Sequence, residues 1–149
     1  PGGGSVYRKL AMTQVHAGNR LTVLLPDEHT GWHEHVRQLL QPQGVETLLA
    51  RSGHEALEML QARRVHLAVL DVRMPQLGGL QVIRLIRDQG DDQTPAILLA
   101  DQPNTHLLHE ALGMRVFSVL SKPVDLNLLL DAMARVMKRH YSSRWPSES

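Results

Sequence analysis

No cysteine occurs among the 149 residues, so disulfides and thiolate metal centres are excluded, and the usage fits a reducing cytosol. Aromatic side chains are scarce as well. One Phe, two Trp and two Tyr leave the core to be built from Leu, Val, Ile, Met and Ala. No apolar run approaches the length that crosses a bilayer and no leader-like segment opens the chain, so a soluble, cytoplasmic protein without a membrane partner is expected. Neither sign of charge dominates: a formal net charge of +1 supplies no field that would draw nucleic acid or an anionic surface. Internal repeats and low-complexity blocks are also missing. The first residue is Pro rather than Met, and PGGGS has linker composition, so residues 1–19 are expected to be an appendage or linker with a processed or cloned boundary.

What is present is one domain's worth of chain in which short apolar runs alternate with helical patterns. The organising stretch is Leu67 to Leu80, LAVLDVRMPQLGGL. Its continuous apolar start is the pattern of a strand buried on both faces of a parallel sheet, and it ends in the carboxylate of Asp71. Pro75 and Gly78-Gly79 then break the chain before a helix resumes. Similar strands are expected at 21–25, 45–50, 95–100 and 115–120. Helices are expected over 30–41, from a Ser52–Glu55 capping box to about 63, over 79–88, around 107–112, and from an Asp125 cap to about 140. Five alternations demand parallel strands with right-handed crossovers and helices on both faces, the doubly wound α/β class. The boundaries read as 1–19 appendage, 20–141 domain and 142–149 tail or linker.

In such a sheet, ligands bind outside the carboxyl ends of the strands. Asp27 and Glu28 follow the first strand, Asp71 ends the third and Lys122 ends the fifth, so the topology gathers acids and an amine at one edge. Carboxylates that converge repel, and a divalent cation with an ammonium group is the simplest compensation. Mg2+ suits the purpose, since it takes a few carboxylate oxygens, keeps waters and shares its shell with phosphate. An Asp beside Mg2+ and Lys can act as a nucleophile toward a phosphoryl donor. Asp71 as a mere strand terminator, or Lys122 as a plain salt-bridge partner, are the simpler readings. His29, His33 and His35 bracket a helix start, where a solvated flank is favoured over a second metal site.

The Asp-x-x-Met-Pro-x-x-x-Gly core of LAVLDVRMPQLGGL and the Lys-Pro of FSVLSKPVD, in this order on this topology, resemble the receiver domain of two-component response regulators. The resemblance runs from about Leu21 to His140. It implies a flavodoxin-like doubly wound five-stranded parallel sheet of strand order 2-1-3-4-5, a phosphoacceptor at Asp71, and Mg2+ held by Asp71, Asp27 and the backbone carbonyl of Arg73, with Glu28 holding a metal-bound water. It further implies that Lys122 contacts the phosphoryl group, that the Lys122-Pro123 bond is cis (Pro123 as a cis-proline), and that the donor is a histidine kinase or phosphotransfer protein. Phosphoryl acceptance and slow loss would be self-catalysed, with no turnover enzyme activity and no direct nucleic-acid binding.

Three switch positions depart from the family. Pro26 stands where the first acid of a pair is usual, Ala100 replaces a Ser or Thr at the end of the fourth strand, and Val119 replaces an aromatic residue three before the lysine. Asp101 would add like charge if it faced the site, and Phe117 is expected on the same strand face as Val119 by period two. These departures favour altered switch coupling, and they support as the alternative a phosphorylation-independent interaction module, a pseudo-receiver. A flavin carrier on the same fold lacks a phosphate-cradling loop after the first strand. For Met133, Met137 and Tyr141 on the fifth helix two readings stand equally: a partly exposed face of a homodimer formed through the fourth helix, fifth strand and fifth helix, or an ordinary buried helix face with a frayed end.

Overall fold

The computed structural model describes residues 20–142, so the expectations for 1–19 and for most of the tail lie outside the described residues. Five strands form one parallel sheet: β1 (Thr22–Pro26), β2 (Glu46–Ala50), β3 (Leu67–Asp71), β4 (Ala96–Ala100) and β5 (Ser118–Ser121). Their order is β2-β1-β3-β4-β5, as the resemblance implied. Five helices connect or follow them: α1 (Trp32–Leu40), α2 (Gly53–Ala62), α3 (Gly79–Asp88), α4 (Thr105–Gly113) and α5 (Leu126–Tyr141).

The three central strands β1, β3 and β4 are buried along their whole length, which is why they read as unbroken apolar runs rather than alternating ones. Their side chains still alternate between two cores. Val23, Leu25, Val69, Ile97 and Leu99 face α1 and α5, meeting Trp32, Val36, Leu129, Met133, Val136 and Met137. Leu24, Ala68, Leu70, Ala96 and Leu98 face α2, α3 and α4, meeting Ala56, Val82, Ile83 and Ala111. The edge strands β2 and β5 are only half-buried.

Caps fix where the helices begin. Ser52 Oγ accepts the Glu55 N–H at 3.1 Å, while Glu55 Oε1 accepts from Arg51 N–H, one residue before the expected Ser52 amide. Asp125 Oδ1 accepts from Asn127 and Leu128 N–H at 2.9 and 3.2 Å. Asn104, unremarked in the sequence, caps α4 by accepting the Leu107 N–H at 2.8 Å and starts that helix two residues early. Α further departure is Phe117. It sits in a bend before β5 and packs with the α1–α5 core, whereas Val119 packs with the opposite one. Period-two alternation holds only inside the ladder, so Phe117 does not share Val119's face.

The dimer-face expectation also changes. Met133 and Met137 are fully buried in the α1–α5 core, and Tyr141 is half-buried with its ring edge-on to His66 at 5.1 Å. The stripe they form is the seam that docks α5 onto the sheet.

Candidate functional site

At the carboxyl edge of the sheet, β3 delivers Asp71 as its last residue, and the chain turns at once into the Val72–Gly78 loop. The turn is tight because α3 starts directly against the strand end. A Cβ on Gly79 would lie 2.6 Å from the Asp71 carbonyl oxygen and 2.9 Å from Leu70 Cβ, a gap that admits only glycine. The Arg73 backbone N–H donates to Asp71 Oδ1 at 2.8 Å, closing an Asx-type turn that aims the carboxylate. From the end of β5, Lys122 Nζ donates to Asp71 Oδ2 at 2.5 Å and lies 3.3 Å from Glu28 Oε1. The Lys122-Pro123 peptide bond is cis.

The acids after β1 are not arranged as expected. Pro26 is a buried residue of the strand itself, in register with Ala50, so the acidic pair at the strand end is Asp27-Glu28. Glu28 is the inward member, 8% exposed and beside Lys122 and Asp71. Asp27, the expected direct metal ligand, has a side chain 39% exposed, with Oδ1 3.9 Å from His33 Nε2. Both still line the same open cleft of about 230 Å3 with Asp71, Arg73 and Lys122.

Electrostatics separates the two buried acids. Burial, a hydrogen bond with Asp71 and the Asp71 charge hold the Glu28 carboxyl above its usual range, against the pull of Lys122. Burial also pushes Asp71 up. Hydrogen bonds with Glu28, Lys122 and the Arg73 N–H, together with the Lys122 charge, outweigh it and leave Asp71 below the usual range. Lys122 is raised: burial opposes its charge, and the two carboxylates more than compensate. The cleft therefore favours the charged form of Asp71 and disfavours that of Glu28.

Hard oxygen donors of the kind Mg2+ takes line the cleft: Asp71 and Glu28 are buried there and Asp27 stands at the rim. They do not form a closed cage. Among the described residues no three His, Cys, Asp or Glu side chains are grouped to hold a metal ion, which covers these acids as well as His29, His33 and His35, so a cation here would take few carboxylates and complete its shell with water and phosphate oxygens.

At the switch positions, Ala100 is the buried last residue of β4 and Val119 packs among aliphatic side chains. Asp101 turns away toward Arg73, whose Nη1 lies 3.6 Å from Asp101 Oδ2. That guanidinium is a feature the sequence reading missed, having assigned Arg73 only its carbonyl. Arg87 was missed too. Its buried guanidinium donates to the carbonyls of Met114, Asp91 and Thr94 at 2.8–3.1 Å, tying α3 to the loops around it.

Comparison with known proteins places this arrangement. The profile of the response regulator receiver domain matches residues 23–134. Response regulator MprA of Mycobacterium ulcerans is 35% identical over 117 residues, which cover 78% of this chain and 50% of that protein. The CAI-1 autoinducer sensor kinase/phosphatase CqsS of Vibrio cholerae is 30% identical over 116 residues, 75% of this chain and 17% of that protein. The chain thus spans about half the length of the MprA relatives it matches. Among solved structures, the Francisella response regulator 1452 receiver domain superposes with a TM-score of 0.71 at 26% identity, covering 80% of this chain and 98% of that one. Vibrio cholerae chemotaxis protein CheY4 gives 0.68 at 28% identity, covering 78% and 98%.

Proposed function

The chain belongs to the response regulator receiver domain family, and from that membership we propose that it accepts a phosphoryl group on Asp71 from a histidine kinase or phosphotransfer protein in the cytosol. The observation that carries this reading is the Asp71 carboxylate held ionised between the Arg73 N–H and the Lys122 ammonium.

Asp71 attacks the phosphorus of the donor. An O–P bond forms as the donor's N–P bond breaks, and the imidazole nitrogen leaves with the electron pair and is protonated by solvent. The product is an acyl phosphate. Lys122, already on Asp71, pairs with a phosphoryl oxygen as charge moves onto it, and the Arg73 N–H keeps the second carboxyl oxygen in place. Mg2+, when bound by Glu28, Asp71, Asp27 and the Arg73 carbonyl, supplies neutralising charge for the phosphoryl oxygens. Slow hydrolysis returns the carboxylate, and no turnover of an external substrate is involved.

The coupling downstream is altered. Ala100 offers no hydroxyl to the phosphoryl group, and Val119 offers no ring to rotate, so a hydroxyl-to-aromatic relay has neither of its parts. The same two positions support the second reading, a module that binds its partner without phosphorylation. Exposed Leu108 and Leu112 on α4 and Leu128 on α5 favour that region as the face for a partner or a second copy.

The test is incubation with acetyl phosphate and Mg2+ followed by intact-mass measurement. One added phosphoryl mass, absent in Asp71→Asn, is the expected result; no adduct under conditions where Mg2+ fails to bind would transfer the weight to the interaction module.

A further inference from the structure

Arg73 lies at a divide. On one side it lines the acceptor cleft with Asp71, Glu28 and Lys122; on the other it lines a larger groove of about 960 Å3 between α3 and α4, with Ala100, Asp101 and Asn104. Its backbone N–H is bonded to Asp71 while its guanidinium, 79% exposed, reaches across the groove to Asp101, 48% exposed. Asp101 follows Ala100 directly and leads through Gln102 and Pro103 to Asn104, the residue that caps α4. Lower in the same groove a second pair, Arg84 Nη2 to Glu110 Oε2 at 2.9 Å, ties α3 to the middle of α4, and His106 Nε2 sits 3.0 Å from Glu110 Oε1.

We propose that the Arg73–Asp101 ion pair is the link between the acceptor and the β4–α4 loop in this chain, replacing by charge the contact that Ala100 cannot make by hydrogen bond. The inference rests on Asp71 being phosphorylated. In the resting protein, Lys122 and the Arg73 N–H satisfy Asp71, and the Arg73 side chain is left to hold Asp101. An acyl phosphate puts more negative charge at Asp71 than the carboxylate it replaces, in the cleft that Arg73 already lines. A single exposed pair is weak and readily exchanged for a stronger anion. Arg73 then swings to the phosphoryl group, and Asp101 loses its cation. That loss releases the loop and loosens the Asn104 cap, while the Arg84–Glu110 pair keeps the rest of α4 in place.

Amide hydrogen exchange reads this directly, because the Leu107 N–H is bonded to Asn104 Oδ1 and the Leu108 N–H to the Asn104 carbonyl. With acetyl phosphate and Mg2+, wild-type protein should exchange both amides about two- to fivefold faster, the factor expected from losing one exposed ion pair. Asp101→Asn should exchange them at that faster rate before phosphorylation and show no further increase after it, with the phosphorylated fraction measured by mass in the same sample. Arg73→Gln should resemble Asp101→Asn at rest, and Arg73→Lys should restore the wild-type rate. An adduct in Asp101→Asn accompanied by the full wild-type increase would overturn the relay and leave the phosphoacceptor assignment standing. No adduct in wild-type protein would overturn the assignment and the relay together.

Discussion

Glu28 is the acid whose charged form the acceptor cleft disfavours. Burial and the neighbouring Asp71 raise its carboxyl, and Lys122 at 3.3 Å is already committed to Asp71. Glu28→Gln should therefore raise the thermal midpoint of the protein in chelator at neutral pH, and lower Mg2+ affinity on the order of tenfold or more, as loss of a metal-site group commonly does. Calorimetric titration with Mg2+ checks the second effect; an unchanged affinity would remove Glu28 from the ligand set. Asp91 is the opposite case, far from the cleft. Burial pushes its carboxyl up, but the Thr94 hydroxyl, the Thr94 and Gln93 N–H groups and the Arg87 charge bring it below the usual range. An acid lowered by folding contributes stability above its unfolded value, about 3.9, and loses it as pH falls through the lower folded value. Asp91→Ala should cost about 1 kcal/mol at pH 7, discounted for its partly exposed position, and the difference in urea midpoint should shrink toward zero as pH drops below about 4. At this scale the sequence was legible in residue type and not in direction. That Asp71 and Lys122 end strands on one edge follows from topology. Which of Asp27 and Glu28 points inward, and that Asp101 turns to Arg73, depends on one-residue rotations after a strand end that no periodicity encodes.

Elements were most readable where an apolar run is flanked by a breaker. LAVLD followed by Pro75 and Gly78-Gly79 leaves no other assignment for β3 and α3, and the Ser52 and Asp125 caps mark their helix starts as expected. Within a helix the apolar residues alone do not say which are covered. On α3, Val82, Ile83 and Ile86 are buried while Leu85 is 36% exposed, because the 3.6-residue turn carries position 85 off the face that the other three share. The approach of α3 to β3 leaves no room for a side chain at Gly79. Gly79→Ala would force its methyl carbon into the Asp71 carbonyl, so either α3 or the strand end must shift. The expected cost is about 1–3 kcal/mol in chemical denaturation, with slower phosphoryl uptake because the Asp71 carboxylate moves with its backbone. Loss of stability with an undisturbed uptake rate would mean that α3 yields and the acceptor stays.

At the scale of the whole molecule, a single sheet separates two aliphatic cores and holds the acceptor edge between them. Alternation along β1, β3 and β4 assigns each side chain to one core or the other, so every strand links α1 and α5 on one face to α2, α3 and α4 on the opposite face. Such a body should unfold as one unit, while side chains on opposite faces contribute independently. Met137 is fully buried against α1 and the sheet, and Ile83 is fully buried under α3 on the far side. Met137→Ala is expected to cost about 2–5 kcal/mol and Ile83→Val about 0.5–1.5 kcal/mol, each from lost burial and an incompletely closed cavity. Their combination should equal the sum within about 0.5 kcal/mol, with one urea transition of unchanged slope, because no shared side-chain neighbour couples them through the sheet. The same Met137→Ala variant decides the role of the α5 seam. If the methionine stripe only docks the helix, sedimentation of the folded variant at several protein concentrations will match that of the parent. A change in its association would place the stripe at a contact between copies and contradict the burial that seats α5 on the sheet.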